Sequence, residues 1–383
     1  MASQAPAQGP IRVLFVFGTR PEAIKLCPIV RHMRERAGEF EVKVCATAQH
    51  REMLDQVLAV FGVQPDYDLD VMRPSQTLAQ ATSRILAALD PVLKEAKPKL
   101  ILVQGDTTTT LCGALAGFYH KIPVGHVEAG LRTRDIWRPF PEEMNRVLTT
   151  RLAALHFAPT ETSARNLRDD LVPKDCVVVT GNSGIDAVLY VRGQLERGAL
   201  AGRDWPMLDP AKRLIAVTAH RRESFGPGFE RICAALGRLA ARPDVQIVYP
   251  VHPNPNVQTP VRRALSGLAN VFLIEPLDYV PFVDLMRRAY FLLTDSGGIQ
   301  EEGPSLGKPV LVLRETTERP EAVEAGTVKL VGTDQDRIVA EATRLLDDAA
   351  EHRRMSLIHN PYGDGTASRQ IAGAIAARFE RGT

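Results

Sequence analysis

The chain has 383 residues, of which 45% are hydrophobic and 24% are charged, and its formal net charge is +2. This length suggests two or three domains, since a domain spans about 100–200 residues. The composition is that of an ordinary globular enzyme. The nearly balanced charge argues against a protein that coats nucleic acid, because such a protein usually carries a basic stripe.

The N-terminal residues and the cysteines indicate the cellular compartment in which we expect the protein. Residues 1–10 are polar and lack the basic and apolar regions of a signal peptide, so they predict a disordered lead-in. The five cysteines are widely spaced and contain no C-x-x-C, which indicates buried thiols in a reducing compartment rather than a zinc site. We therefore expect a cytoplasmic protein with no metal and no membrane span.

The first half of the chain alternates predicted strands and helices. The apolar run Ile11–Phe17 predicts a parallel strand buried on both faces, and Pro21 suits the first turn of the next helix. Further strands are predicted at Val42–Ala46, Leu100–Gln104, Val124–Val127, Leu155–Ala158 and Val177–Thr180, with helices that include Gln76–Lys94 and Thr109–Tyr119. This alternation is typical of a parallel sheet covered by helices on both faces.

The same pattern restarts after the turn cluster Gly181-Asn182-Ser183-Gly184, which predicts a boundary between domains 11–183 and 184–366. Strands are predicted in the second domain at Arg213–Thr218, Val245–Tyr249, Val271–Ile274, Phe291–Thr294, Val310–Leu313 and Val328–Leu330, with helices that include Phe229–Ala241 and Phe282–Ala289. The predicted fold class is therefore α/β, with two Rossmann-like doubly wound domains facing a cleft.

Three carboxylates stand where open α/β sheets bind ligands. Asp106 and Glu128 each follow a predicted buried strand, and Glu142 begins a predicted helix after Pro141. Each also has an ordinary explanation, as a loop residue, a helix cap or a complement to the helix dipole. If the three converge beside cations, their crowding would separate their pKa values and permit acid and base roles.

A turn with two glycines, Asp295-Ser296-Gly297-Gly298, follows a predicted strand and opens a helix. Backbone N–H groups approach a ligand closely at glycine, and a helix N-terminus favours anions, so the turn predicts a phosphate cradle. A helix cap with tight packing is the alternative explanation. Glu301 or Glu302, about one turn later, could accept hydrogen bonds from ribose hydroxyls. The turn is not a P-loop, because G-x-x-x-x-G-K-[ST] is absent.

Cations that could receive phosphate are Arg20, Lys25, Arg132, Arg221, Arg222 and Arg319. His220 follows the first predicted strand of the second domain and stands beside two arginines. An imidazole at this position can bind phosphate or move a proton near neutral pH. A lone histidine is more often structural, but this position favours a site. Asp186, Lys308 and the cysteines are interpreted as structural.

Many ordered motifs run from about residue 11 to the C-terminus. They are FGTRPEAIKLCP (17–28), TAQHREMLDQV (47–57), GDTTTT (105–110), GHVEAGLRT (125–133), PEEMNR (141–146), PTETSARNL (159–167), AHRRESFG (219–226), VHPNPNV (251–257), TDSGGIQEE (294–302), TTERPEAVEAGT (316–327) and NPYGDGTAS (360–368). With these motifs, the chain closely resembles the bacterial non-hydrolysing UDP-N-acetylglucosamine 2-epimerases.

The resemblance implies the two-domain fold that the family shares with GT-B glycosyltransferases, with a last helix (367–383) that packs back on the first domain. It implies inversion at C2 of UDP-GlcNAc to give UDP-ManNAc. The implied route is anti elimination of UDP to 2-acetamidoglucal and syn re-addition of UDP. No cofactor takes part in that chemistry.

The family's functional residues match this sequence position by position. The resemblance implies catalytic roles for Asp106, Glu128, Glu142 and His220, and it leaves open which carboxylate is the base and which is the acid. His220 matches a residue at the diphosphate and the glycosidic oxygen, and Phe282 lies where the family packs uracil. UDP-sugar contacts are implied for Arg20, Lys25, Asp106, Glu128, His220, Phe282, Ser296, Gly297, Gly298, Glu302 and Arg319.

The resemblance also implies a second, activating substrate site in many bacterial members. Gln49 and His252 match residues of that site, Arg222 is a weaker match, and Glu52 stands where some members have Gln. The sequence departs from the family pattern beside the motifs at Ala219, Ser183-Gly184 and Arg138. These departures put the fine specificity in doubt rather than the reaction class.

The expected partners are UDP-GlcNAc, UDP-ManNAc and UDP as the intermediate product, in a homodimer, with no nucleic acid and no membrane. Four alternatives stay open: a 2-epimerase of a related UDP-sugar such as a diacetamido uronic acid, a hydrolysing epimerase that releases free ManNAc, a GT-B glycosyltransferase, and a binding-only sugar-nucleotide sensor. Three acids around C2 argue against the last two.

Overall fold

In the structure, a computed structural model, residues 9–47, 51–73 and 75–381 are described. The chain divides into two compact units: unit 1 runs to residue 187 and resumes at residue 365, and unit 2 spans 188–364. The predicted boundaries, 183/184 and 366/367, lie in the first turn of one helix and just before the last helix. Residues 1–8 of the predicted lead-in lie outside the described residues.

The described part of unit 1 contains one parallel sheet with the strand order β3-β2-β1-β4-β5-β6-β7. Its strands are β1 (Ile11–Phe17), β2 (Phe40–Ala46), β3 (Tyr67–Asp68), β4 (Leu100–Gln104), β5 (Val124–Val127), β6 (Leu155–Ala158) and β7 (Val177–Val179). Its helices before unit 2 are α1 (Arg20–Arg34), α2 (Arg51–Phe61), α3 (Leu78–Ala96), α4 (Thr108–Tyr119), α5 (Glu142–Leu152), α6 (Glu161–Asp169) and the start of α7 (Ser183–Glu196).

Unit 2 repeats this architecture with the strand order β10-β9-β8-β11-β12-β13, again all parallel. Its strands are β8 (Arg213–Thr218), β9 (Val245–Pro250), β10 (Val271–Ile274), β11 (Phe291–Thr294), β12 (Val310–Val312) and β13 (Val328–Leu330). Its helices are α8 (Pro227–Ala240), α9 (Pro255–Leu265), α10 (Tyr279–Arg288), α11 (Gly297–Ser305), α12 (Pro320–Ala325), α13 (Gln335–Asp347) and α14 (Ala349–Leu357).

Local sequence explains why these elements begin where they do. Thr19 and Glu22 form a reciprocal capping box at the start of α1, and Pro21 stands in its first turn, where no N–H is needed. β4 is buried at every residue, as its apolar sequence requires of a strand covered on both faces. Large side chains such as Phe15 in unit 1 and Phe291 in unit 2 are fully buried in the cores around the sheets.

The last helix, α15 (Ala367–Glu380), belongs to unit 1. Its first turn is held by Asp186 of α7, whose carboxylate accepts hydrogen bonds from the backbone N–H groups of Ala367 (3.2 Å) and Ser368 (2.8 Å). The buried side chains Ile371 and Ile375 complete the attachment through the apolar face of the helix. Asp186 therefore has the structural role that the sequence analysis assigns to it.

The predicted α/β class with two Rossmann-like domains is confirmed. Several predicted bounds shift by one or two residues, and two differences are larger. β3 has only two residues, too few for a strand pattern to show in the sequence, and α10 begins at Tyr279 rather than Phe282. Pro281 is tolerated there because the N–H groups of the first turn have no partner within the helix. No helix in the described part of the chain has the length and apolarity to cross a membrane.

Strand order fixes where each unit can hold a ligand. In unit 1 the order reverses between the neighbouring strands β1 and β4, and in unit 2 it reverses between β8 and β11. Connections diverge to opposite faces at such a point, which leaves a crevice at the carboxyl ends of the strands. We call the carboxyl ends of β1, β4 and β5 edge 1, and those of β8 and β11 edge 2.

Candidate active site

At edge 1, the turns after β1 and β4 are tied together by the buried side chain of Glu22. Its Oε2 accepts hydrogen bonds from the backbone N–H groups of Gly18 (3.1 Å) and Thr19 (2.7 Å). Its Oε1 lies 2.7 Å from the hydroxyl of Thr107 and 3.2 Å from that of Thr110, in the turn and helix after β4. Burial raises the pKa of Glu22, against the opposing effect of these hydrogen bonds. Both carboxylate oxygens are therefore engaged within the fold.

Glu128, directly after β5, has an unusual backbone conformation. Its φ of 62° lies in the left-handed region, which costs a non-glycine residue about 1–2 kcal/mol and is often found at functional sites. Its Oε2 lies 2.5 Å from Nζ of Lys25, and the side-chain amide of Gln104 donates to the same oxygen. The strain and these two donors fix a nearly buried carboxylate at edge 1.

Asp106, after β4, lies in the same charged cluster. Its Oδ2 is 2.5 Å from Nη2 of Arg146, and its backbone carbonyl accepts from the side chain of Asn145 (2.9 Å). Burial raises the pKa of Asp106; Arg146 and Lys25 oppose the rise, while the charges of Glu128 and Glu142 add to it. Asp106, Glu128 and Glu142 thus interact electrostatically at edge 1, with Arg146 and Lys25 as counter-charges.

Arg132, a predicted phosphate-binding cation, has a different role. Its side chain is 1% exposed, with Nε 2.7 Å from Asp170 and Nη2 2.8 Å from the hydroxyl of Thr150. A guanidinium this deeply buried and fully paired holds the chain after β5 to neighbouring helices. The prediction that Arg132 receives phosphate is therefore wrong.

At edge 2, Asp295 ties the turns after β8 and β11 together. This residue is fully buried, and its Oδ2 accepts hydrogen bonds from the backbone N–H groups of His220 (2.6 Å) and Arg221 (2.7 Å). Tyr249 also fixes the turn before His220, because its hydroxyl donates a hydrogen bond to the carbonyl of Ala219 (2.7 Å). His220 itself is 41% exposed at its side chain and so is accessible to a ligand.

The predicted cradle lies at the N-terminus of α11. Ser296 is its N-cap residue and makes no side-chain capping bond, and a Cβ built on Gly297 would lie 3.9 Å from the guanidinium carbon of Arg319. Arg319 also donates through Nε to the buried Glu301, and the next residue, Glu302, is half-buried. Unpaired N–H groups, a dipole end and a guanidinium together suit an anion.

The remaining predicted residues are distributed between the two units. Arg20 is half-buried at the first position of α1, and Phe282 is half-buried on α10. The ring of His252 is exposed and stacks on His220, with centroids 5.4 Å apart and an angle of 17° between the planes. Arg222 is exposed after β8. Gln49 lies outside the described residues.

Chemically, the two edges differ in what they offer a ligand. Edge 1 presents carboxylates in unequal environments, the arrangement that gives one acid and one base at a common pH. Edge 2 presents N–H groups, a guanidinium and an imidazole, all of which stabilise negative charge. Edge 1 therefore suits proton transfer, and edge 2 suits binding of a phosphate or stabilisation of an anionic leaving group.

The roles of Glu22, Arg146 and Asp295 in organising these edges were not predicted from the sequence, in which Asp295 was named only as the first residue of the cradle turn. All three lie inside motifs quoted above, but their partners are distant in sequence; Arg146 contacts Asp106 across 40 positions and Asp295 contacts His220 across 75. Local sequence provides little signal of their burial, since Glu22 and Arg146 stand near other charged residues. Buried charges are almost always paired, so such a residue requires a partner that the sequence does not reveal.

The chain is similar to known proteins over nearly its whole length. A family model described as UDP-N-acetylglucosamine 2-epimerase matches residues 32–376. A UDP-N-acetylglucosamine 2-epimerase of Yersinia pestis is 60% identical over 371 residues, which cover 95% of this chain and 98% of that protein.

Solved structures extend the similarity to three dimensions. The UDP-GlcNAc 2-epimerase of Neisseria meningitidis, solved with UDP-GlcNAc, is 49% identical with a TM-score of 0.86, covering 96% of this chain and 100% of that one. The enzyme of Methanocaldococcus jannaschii, solved with UDP-GlcNAc and UDP, is 30% identical with a TM-score of 0.71, covering 97% and 100%. The predicted isomerase is thus confirmed, and the chain belongs to the UDP-N-acetylglucosamine 2-epimerase family.

Proposed function

We propose that this chain reversibly epimerises UDP-GlcNAc to UDP-ManNAc, through anti elimination of UDP to 2-acetamidoglucal and syn re-addition of UDP. The observation that carries the proposal is the charged cluster of edge 1, in which Asp106, Glu128 and Glu142 interact in unequal environments. The ligand named for the Neisseria meningitidis relative, UDP-GlcNAc, supports the choice of substrate.

In the proposed elimination, one carboxylate of edge 1 takes the proton from C2. The electron pair of that C–H bond forms the C1–C2 double bond, and the bond between C1 and the phosphate oxygen breaks with its electrons on UDP. The C2–H bond is weakly acidic in the intact sugar, so a carboxylate alone is a poor base for it. Departure of the diphosphate gives the ring oxocarbenium character, which makes that proton more acidic.

In the proposed return, UDP adds to C1 and a second, protonated carboxylate delivers a proton to the opposite face of C2. Burial raises the pKa of Asp106, which is the direction that favours a role for it as the group that carries the proton. Lys25 and Gln104 both contact Oε2 of Glu128 and so fix its orientation, which suits the other role. The direction of the reaction decides which of the two acts first.

Edge 2 would hold UDP while its negative charge grows. Ser296, Gly297 and Gly298 supply the helix N-terminus, Arg319 supplies a guanidinium, and His220 supplies an imidazole. Preorganised donors of this kind stabilise a leaving group without reorganisation during the reaction. Retention of UDP during the lifetime of the glycal is what separates epimerisation from hydrolysis.

The test is incubation of the protein with UDP-GlcNAc in D2O, followed by proton and phosphorus NMR. We expect UDP-ManNAc with deuterium at C2 and little free UDP. Free ManNAc with stoichiometric UDP would replace the proposal by a hydrolysing epimerase. Absence of both turnover and C2 exchange would overturn it, and related UDP-sugars and glycosyl acceptors would then be assayed.

A further inference from the structure

The carboxylate of Asp295 has one oxygen engaged and one that faces a histidine. Oδ2 accepts the two backbone N–H groups of His220 and Arg221. Oδ1 is buried, accepts no hydrogen bond from any described residue, and lies 3.7 Å from Nδ1 of His220. A buried, unsatisfied carboxylate oxygen is costly, so a nearby donor is expected for it.

The Nδ1–H group of His220 is the donor that this geometry provides. A neutral imidazole carries one hydrogen, and its partner decides which nitrogen holds it. The stacked His252 does not compete, because its own Nδ1 accepts the backbone N–H of Asn254 (3.1 Å) and its hydrogen must therefore stand on Nε2. When the hydrogen is on Nδ1 of His220, the other ring nitrogen, Nε2, stays available to a ligand on this exposed side chain.

Burial favours the neutral form of His220 in the absence of a ligand. Burial lowers the pKa of His220, the charge of Asp295 opposes this shift, and His252 and Arg221 add to the lowering. The position of the single hydrogen is therefore a property of the free protein at pH 7.5, and it can be measured there.

We propose that Asp295 is a positioning residue that holds His220 in the Nδ1–H tautomer, with Nε2 directed at the ligand. Because Nε2 then carries a lone pair, it binds an anionic ligand oxygen by taking up a proton from solvent as the ligand binds, and the charge of Asp295 stabilises the imidazolium that forms. The assignment of the ligand oxygen to the diphosphate of a UDP-sugar rests on the proposed function. The assignment of the tautomer does not rest on it, because the tautomer follows from contacts within unit 2. The separation of 3.7 Å between Nδ1 and Oδ1 is longer than a hydrogen bond, and we expect it to shorten when a ligand binds, as catalytic contacts often do.

The first test needs no substrate and uses the wild-type chain. Two-bond proton–nitrogen NMR at pH 7.5, with nitrogen-15 in all nine histidines, reads the tautomer of each ring, and the spectrum of His220→Asn assigns the His220 signal. We expect His220 as the Nδ1–H tautomer and His252 as the Nε2–H tautomer. An Nε2–H tautomer for His220 in the wild type overturns the proposal.

The second test is Asp295→Asn. The asparagine oxygen can still accept the N–H groups of His220 and Arg221, but its NH2 group faces Nδ1 as a donor, so His220 should move to the Nε2–H tautomer. With UDP-GlcNAc we expect kcat to fall by about a hundredfold or more, as when an orienting carboxylate is replaced beside a catalytic histidine. KM should stay within about threefold, since the phosphate donors of α11 are unchanged.

Asp186→Asn is the matched control, because Asp186 also accepts two backbone N–H groups but faces no histidine in those contacts. It should leave the tautomer of His220 and kcat unchanged. An unchanged tautomer in Asp295→Asn, or a loss of kcat no larger than that of the control, overturns the proposal. If Asp295→Asn does not fold, the wild-type spectrum decides. If wild type does not turn over UDP-GlcNAc, the proposed function fails while the tautomer is still decided.

Discussion

Units 1 and 2 each have a buried carboxylate at the point where their strand order reverses, but the two carboxylates have different partners. In both, a buried carboxylate accepts two successive backbone N–H groups: Glu22 those of Gly18 and Thr19, and Asp295 those of His220 and Arg221. The second oxygen of Glu22 faces threonine hydroxyls within the fold, whereas the second oxygen of Asp295 faces the imidazole of His220.

The difference shows how one fold can serve two chemical purposes. At edge 1 both oxygens of the Glu22 carboxylate are enclosed, and the carboxylates that we propose as reactive are held by Lys25 and Arg146. At edge 2 the Asp295 carboxylate faces an exposed histidine in the same unit as the N-terminus of α11, where we propose that UDP binds. Four substitutions or conditions test this division.

The largest expected effect is that of Glu128→Gln at edge 1. Loss of the carboxylate should reduce kcat by about 10²–10⁴-fold, the usual contribution of a positioned general acid or base. The affinity for UDP should change little, since we assign its binding to edge 2. Deuterium incorporation at C2 and calorimetric titration with UDP measure the two quantities. Asp90→Asn, on the exposed surface of α3, is the control; equal losses of rate and UDP affinity would break the division between the edges.

At edge 2, Arg319→Gln should act in the opposite way. A hydrogen bond to a charged group contributes about 1.5–3 kcal/mol, so the Kd for UDP should rise by about 10–100-fold. Exchange at C2 under saturating substrate should fall much less than it does in Glu128→Gln. The control is Arg238→Gln, which removes a surface ion pair of α8 with Asp336. A UDP affinity equal to that of the wild type would contradict the assignment of UDP to the end of α11.

Acid should destabilise unit 1 through two histidines beneath edge 1. Burial lowers the pKa of His126 to about 3 and that of His156 to about 4. The unfolded chain binds protons near pH 6.5 and the folded chain does not, so stability is lost as pH falls from about 6.5 toward 4. The slope approaches about 1.4 kcal/mol per pH unit for each histidine.

Urea unfolding at pH 7.5, 6 and 5 measures this slope. His156→Gln should flatten it, whereas His120→Gln, at a more exposed position beside Asp90, should not. Hydrogen exchange at pH 5 should show protection lost in β5 and β6 before β8 and β9. Loss of protection in unit 2 first would contradict this expectation.

The smallest expected effect is that of Glu22→Gln. Because burial raises the folded-state pKa of Glu22 above 4.5, its contribution to stability is complete below that pH and declines as pH rises. An amide does not titrate, so the variant should gain stability relative to wild type between pH 5 and pH 8, with differences of about 1 kcal/mol or less. Glu161→Gln, exposed at the start of α6, is the control. A relative loss of stability with rising pH would show that the charged form of Glu22 is the one required.

Much of the fold was predictable because its signals are local. The buried runs of β1, β4 and β11 are short apolar segments flanked by turn residues, and each depends only on neighbouring positions. β3 was not predictable, since two residues carry no periodicity, and it exists through pairing with β2 at Cys45 and Ala46. The role of Arg132 was not predictable either, because burial beside Asp170 is a tertiary property.

By itself, the sequence determined the α/β class, the two-domain pattern, the family and the residue types available at each strand end, because these depend on periodicity and on ordered motifs. Only the tertiary structure decided which charges meet. Arg146 holds Asp106, Lys25 holds Glu128, Arg319 holds Glu301, and Asp295 faces His220, over separations of 18 to 103 positions. The physical reason is that a charge removed from water must find a partner in space, and that partner is set by how parallel strands bring distant turns to one edge.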